Sequence, residues 1–263
     1  MPRPRAELRT EAELRAEVDA YLAGLALARE LGGLEVALRY ALEPGGKRIR
    51  PVLCLAVAEA AGGSVAEALP AAGALELVHT FSLVHDDLPA MDDDAERRGR
   101  PSAHVAFGVG VALLAGDALL AEAFRLALTY ESPEPARELA AATLGMIGGQ
   151  HRDITGDDAD LSELHRLKTG RLFAASVGLG LWAAGVPALE QLPWRAFGDE
   201  VGPLFQVVDD ILDDDGVAAR LGGEEARQLA DSAAERARNG LDAIPADTSV
   251  LRELVDSLAV RTA

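Results

Sequence analysis

The chain has 263 residues, 49% hydrophobic but only 4% aromatic, with 43 acidic against 25 basic side chains and a formal net charge of −18. That length suits one large domain or two small ones with a substantial core, and the acidic balance argues against nucleic acid or an anionic membrane surface as a general partner. A lone cysteine, Cys54, excludes a disulfide framework and reads as a small buried hydrophobe in a reducing, cytoplasmic setting.

Helical periodicity dominates from end to end, interrupted by Gly and Pro rather than by strand alternation. The amino-terminal stretch MPRPRAELRTEAELR is charged and carries no apolar signal segment, and the pattern predicts a first helix over 8–30, a packing or dimer element. Further helices are predicted at 34–42, 47–61, 66–88, 102–128, 134–154, 160–184, 193–214, 223–241 and 247–260. The breaks are LGG at 31–33, EPGG at 43–46, AGGS at 61–64, RGRP at 98–101 and ESPEP at 131–135. LFAASVGLGLWAAGV is too short to span a bilayer, so no integral membrane segment is expected. The expected fold is all-α: one domain over 1–263, a bundle of roughly ten or more helices around a central cavity.

Two aspartate clusters interrupt this helical pattern. Asp86, Asp87 and Asp92 lie in HDDLPAMDDD, and Asp209, Asp210 and Asp213 lie in FQVVDDILDDD. In both, an apolar stripe runs straight into the carboxylates, which is costly unless a cation sits among them. Asp209 and Asp213 share a helix face and repel each other without a partner. Oxygen ligands with no Cys or His pairs nearby point to Mg²⁺ rather than zinc, and Mg²⁺ completes its shell with water and substrate phosphates. Asp93 and Asp94 read as solvated, and Asp214 and Asp215 as a solvated helix end stopped by Gly216.

Basic residues gather in GGKRIRP at 45–51, RRGRP at 97–101 and LKTGR at 167–171. The chain's two lysines, Lys47 and Lys168, both fall there. A compact ammonium where arginine serves everywhere else marks a phosphate contact. Arg97 and Arg98 follow the first acidic cluster, so metal and guanidinium can share one anion. Gln206, three residues before Asp209, is placed to donate to a phosphate oxygen.

Together, DDLPAMD followed by RRGRP, the upstream GGKRIRP, GGQHRD at 148–153, KTG at 168–170 and FQVVDDILD at 205–213 resemble the trans-isoprenyl diphosphate synthases. The likeness covers roughly 35 to 260 and is nearest to bacterial farnesyl and geranylgeranyl diphosphate synthases. It implies about three Mg²⁺ per site, two on Asp86, Asp87 and Asp92 and a third on Asp209 with Asp210 and Asp213 beside it. It also implies that Arg97, Lys168, Thr169 and Gln206 hold an allylic diphosphate. Lys47, Arg50, His79 and Arg98 would hold isopentenyl diphosphate, with Gly46 allowing close backbone approach. The implied reaction is head-to-tail condensation through an allylic carbocation, giving farnesyl diphosphate, in a homodimer. The residues four and five before the first cluster, Ser82 and Phe81, would floor the elongation cavity. Ser82 falls roughly 40° from Asp86 around a helix and Phe81 roughly 140°, so Phe81 must lean in from the flank. His85 is expected to pack or to support the ligands. One departure stands out: after the second cluster the family usually carries a longer loop with a lysine, whereas DDDGVAARLGGEEARQ has none, leaving Arg220 as the candidate substitute.

Three rivals fit less well. A terpene cyclase would pair its first cluster with an Asn/Ser/Glu triad and has less use for a second diphosphate pocket. A non-catalytic regulatory subunit should have lost one cluster. A Ca²⁺ module would need EF-hand spacing, which GDDADLSE lacks. Geranylgeranyl diphosphate is the alternative product.

Overall fold

The computed structural model describes residues 8–43, 46–156, 161–213 and 216–260. Gly45, Asp214 and Asp215 lie outside them. Among the described residues the architecture is all-α apart from one two-stranded hairpin. No described helix is long and apolar enough to cross a membrane.

Helix α1 (Glu11–Ala23) starts with a capping box in which Thr10 and Glu13 satisfy each other's end groups. It ends at Gly24, well short of the predicted 30, and a 3₁₀ segment (Arg29–Leu34) containing Gly32 at φ 51° leads into α2 (Glu35–Leu42). Helix α3 (Ile49–Ala60) and α4 (Val65–Asp86) are buried along most of their lengths. They pack against each other and against α9 (Arg171–Ala183) to form the middle of the core. The buried side chains are mostly Ala, Leu and Val, which lets helix axes approach closely, and Cys54 is one of them.

The predicted helix over 102–128 is two: α5 (Ala103–Phe107) and α6 (Val109–Ala127). Gly108 at φ 87° breaks the ladder between them. Helix α6 lies along α4, and α7 (Glu134–Thr155) lies along α9. The predicted helix over 160–184 is also divided: α8 (Leu161–His165), one π-helical turn (Arg166–Gly170), then α9. Helix α10 (Leu192–Asp213) packs on α9 and on α12 (Gly223–Asp242), and a short α11 (Gly216–Leu221) lies between α10 and α12 in the chain and packs on both. Helix α13 (Ser249–Val260) completes the layer.

Candidate active site

A cavity of about 1020 Å³ opens among α3, α4, α7, the π-helical turn and α10. Of the residues singled out in the sequence, Gly46, Lys47, Arg50, His79, Phe81, Ser82, Asp86, Arg97, Arg98, Lys168, Thr169 and Asp209 all line it. Asp87, Asp92, Gln206, Asp210 and Asp213 do not.

The first acidic cluster is built by the end of α4. The helix stops at Asp86, and the chain folds back so that the Asp92 N–H donates to the Asp86 carbonyl at 2.9 Å. This turn brings the Asp92 carboxylate near enough to raise the Asp86 pKa, but burial is the larger cause, and together they push it up to about 6 despite the opposing Lys168. Its sequence neighbour has a different fate. Asp87 is buried and accepts from both Nε and Nη2 of Arg97, so its charge is already matched. That bond in turn holds the Arg97 guanidinium firmly protonated.

RRGRP forms the hairpin, β1 (Glu96–Arg97) paired with β2 (Arg100–Pro101). Arg98 and Gly99 both take positive φ, 56° and 74°, as a two-residue hairpin turn demands. Tyr40 anchors the far strand: its hydroxyl donates to the Pro101 carbonyl at 2.7 Å and the Arg100 guanidinium stacks on its ring. The turn delivers Arg98 to the cavity against Gly46, where an added Cβ would stand 2.8 Å from Arg98 Nη1. Gly46 therefore does let another group approach, and that group is Arg98.

Arg50 sits over the ring of Phe173 at 4.4 Å and near that of Phe205. Burial lowers its pKa to about 10, with Glu76 and Asp209 resisting, and its Nε has no hydrogen-bond partner among the described residues. A desolvated guanidinium with an unsatisfied donor is suited to an anion. His79 is held neutral by burial and by the surrounding arginines, Arg50 and Arg98 first among them. Lys47 acts on Asp209 from nearby, though burial still raises that carboxyl above its ordinary range.

On the opposite margin, the π-helical turn presents Lys168 and Thr169. Lys168 pairs with Asp153 of GGQHRD, and the backbone of α7 can come this close because position 149 is glycine: a Cβ there would lie 2.5 Å from the Lys168 nitrogen. Thr169 Oγ1 donates to Gln206 Oε1 at 2.6 Å, and Gln206 Nε2 donates to Asp210 Oδ1 at 2.7 Å. Asp210 is buried and also accepts the Val217 N–H at the start of α11. Gln206 and Asp210 thus bind the wall together instead of facing the cavity. Asp213 is exposed at the end of α10, one turn beyond Asp209, and adds to the raising of its pKa. Arg220 lies close enough to His165 to act on it electrostatically, as do Asp210 and Lys168.

Phe81 is buried in the cavity wall and meets His85 edge-on, 5.4 Å between ring centres. His85 donates from Nε2 to the Leu113 carbonyl at 3.1 Å, consistent with a packing role. Ser82 Oγ donates to the His79 carbonyl at 2.9 Å. Sequence reading missed Arg48, Glu76, Leu120, Met146 and Gln150, all of which line the cavity. Glu76 and Arg48 had a signal, a charge inside an apolar run and a charge within GGKRIRP, but their pairing is tertiary.

Among the described residues no three Asp, Glu, His or Cys side chains form a closed metal cage. The donor set nevertheless suits Mg²⁺, which takes few protein carboxylates and fills its shell with water and phosphate oxygens. Asp86, with Asp92 beside it, and Asp209 are half-buried carboxylates whose pKa values burial raises even with Lys168 and Lys47 acting on them.

The comparisons with known proteins agree with this geometry. Polyprenyl synthetase is the family that matches, over residues 33–231. A geranylgeranyl diphosphate synthase of Cyanophora paradoxa is 41% identical over 208 residues, 73% of this chain and 69% of that protein. A farnesyl diphosphate synthase of Bacillus subtilis (strain 168) is 40% identical over 204 residues, 72% of this chain and 69% of that one. In structure, a geranyltransferase of Helicobacter pylori 26695 superposes with a TM-score of 0.83 at 33% identity, covering 96% of both chains. With its acidic and basic motifs gathered on one cavity, the chain belongs to the polyprenyl synthetase family.

Proposed function

We propose that this chain condenses isopentenyl diphosphate head-to-tail with dimethylallyl or geranyl diphosphate, with farnesyl diphosphate as the main product. The observation that carries this reading is the pair of unlike anion sites on one cavity. Half-buried carboxylates, Asp86 and Asp209, line it on one side, and a desolvated guanidinium whose Nε has no partner among the described residues lies at Arg50. One suits a metal-bridged diphosphate and the other a diphosphate bound directly by Arg50, His79, Arg98 and Lys47.

Asp86, Asp92, Asp209 and Asp213 would hold Mg²⁺, with Asp87 and Asp210 positioning Arg97, Gln206 and α11. Mg²⁺, when bound, neutralises the diphosphate leaving group. Lys168, Thr169 and Arg97 orient that group so that the C–O bond breaks toward the apolar part of the cavity. Leu120 and Met146 there exclude water from the allylic cation. Arg50, Arg98 and neutral His79 hold the second diphosphate so that its double bond faces the cation. No side-chain nucleophile is required, and the proton released at the end can pass to the departed diphosphate.

Phe81 in the wall supports a C15 product. The name of the Cyanophora relative favours the second reading, a geranylgeranyl product. We place the reaction in the cytoplasm, in keeping with the lone, buried thiol of Cys54. We also infer a homodimer, supported by exposed Val105, Val109, Leu113 and Leu114 on α5 and α6 and by Leu144 and Ile147 on neighbouring α7.

The test is an Mg²⁺-dependent assay with labelled isopentenyl diphosphate and each allylic primer, with products sized after dephosphorylation. Farnesol as main product supports both chemistry and floor; geranylgeraniol keeps the chemistry and removes the floor. No condensation with any primer removes the reaction. Phe81→Ala is expected to shift product toward C20 or longer, and an unchanged product size would refute its role.

A further inference from the structure

Arg48 is a charged residue in an unusual state. It is only 5% exposed although it lies in the loop before α3, and its backbone is left-handed, φ 48° and ψ 30°. For a non-glycine residue that conformation is strained, and it persists only where the surroundings over-determine it. They do so here through all three guanidinium nitrogens. Nε donates to Asp19 on α1 at 3.0 Å, Nη2 to the Leu42 carbonyl at the end of α2 at 2.7 Å, and Nη1 to Glu76 on α4. Three helices therefore fix one loop residue, and its chain neighbours are Lys47 and, two further on, Arg50.

Glu76 is 2% exposed and lies three residues before His79 on the same helix. Its carboxylate acts electrostatically on Arg48, Arg50 and Arg98 together, yet its hydrogen bond goes to Arg48. A buried carboxylate this close to three guanidiniums can supply charge balance that keeps them folded together. If it were free to bond Arg50 or Arg98, it would compete with any anion they bind. Arg48 occupies it.

We propose that Asp19, Arg48 and Glu76 form a positioning clamp for the isopentenyl diphosphate subsite. The clamp sets the Lys47–Arg50 loop and keeps Glu76 from neutralising the guanidiniums that receive the diphosphate. The proposal rests on the reaction proposed above. A structural ion pair with no bearing on the subsite would affect stability and both substrates alike.

The experiment uses the full chain with Arg48→Gly, Arg48→Lys and Glu76→Gln, varying each diphosphate separately at saturating Mg²⁺. Arg48→Gly suits the left-handed backbone but removes the clamp. It is expected to raise KM for isopentenyl diphosphate at least ten-fold, with KM for the allylic diphosphate and kcat changed less than three-fold. Arg48→Lys is expected to recover part of that loss. Glu76→Gln leaves an acceptor for Arg48 and removes the competing carboxylate, so it is expected to change KM for isopentenyl diphosphate less than Arg48→Gly does; a rise as large as that of Arg48→Gly would refute the shielding of Arg50 and Arg98. Equal changes in the two KM values, or a lower melting temperature with unchanged kinetics, would overturn the clamp. Should Arg48→Gly fail to fold, Asp19→Asn, at the solvent end of the clamp, is expected to raise KM for isopentenyl diphosphate about three-fold; no change would overturn the proposal. Calorimetric titration of isopentenyl diphosphate without metal separates the two levels of inference. If the wild type proves inactive in condensation, weaker binding by Arg48→Gly still supports the clamp and equal binding refutes it.

Discussion

Asp86 and Asp87 are the same residue type in adjacent positions, yet one faces the cavity with burial raising its pKa and the other is buried against Arg97. Neighbouring residues on a helix point about 100° apart, so a DD pair can send only one carboxylate to a given site. The motif was legible in the sequence, but which aspartate faces the cavity was not, because the guanidinium that claims Asp87 arrives through a hairpin ten residues on. Asp209 and Asp210 repeat the division, with Asp210 claimed by Gln206 and the Val217 N–H. The raised pKa of Asp86 has a stability consequence. Its folded value, about 6, lies above the ordinary carboxylate value, so the ionised group opposes folding above that pH and the penalty fades as pH falls toward 4. Asp86→Asn is therefore expected to raise the melting temperature in chelator by about 1–3 °C at pH 7.5, with the gain shrinking at pH 5. The same variant should lose at least about 10²-fold in turnover. A melting temperature unchanged or lowered at pH 7.5 would remove this electrostatic account.

At the scale of elements, the helix pattern predicted α4, α7, α10 and α12 to within a few residues, because each carries a sustained apolar face between Gly or Pro breaks. It erred where one residue changes the local geometry. Gly108 and Gly24 interrupt runs whose apolar spacing continues past them, and the π-helical turn inserts an extra residue into 160–184 without altering composition. That turn matters to function, since it carries Lys168 and Thr169 to the cavity. Its placement depends on α7 lying against it at Gly149. Gly149→Ala should cost about 1–3 kcal/mol by overpacking and lower kcat/KM for the allylic diphosphate by about 10²-fold, since misplacing a positioning group by an ångström has that effect. Gly148→Ala is the control. Its added methyl meets nothing within 4 Å among the described residues, and a helix interior prefers alanine, so stability should be kept or gained. Steady-state kinetics and thermal melts on the two variants decide the matter; equal behaviour would detach the turn from Gly149.

For the molecule as a whole, the proposed homodimer rests on the exposed apolar side chains of α5, α6 and α7. Leu113 and Leu114, 45% and 54% exposed, stand on that face, and Ile147 is both 46% exposed and part of the cavity lining. A stable interface needs roughly 1,000 Å² or more with an apolar centre. Leu113→Glu with Leu114→Glu is expected to convert the proposed dimer to monomer in light scattering coupled to gel filtration, and a wild type that runs as a monomer would refute that proposal directly.

The net charge of −18 sets a further condition on an enzyme whose substrates are themselves anions. Beyond about 8–10 Å at physiological ionic strength the field of the protein is screened, but within that range it repels an incoming diphosphate. Basic side chains inside the cavity act only once the ligand is at its mouth. Added inert salt should therefore speed the capture of isopentenyl diphosphate, the reverse of the usual kinetic salt effect for anion-binding enzymes. Substrate arriving already paired with divalent cations would meet a smaller barrier, so the metal's first contribution would be made in solution, before any bond is strained.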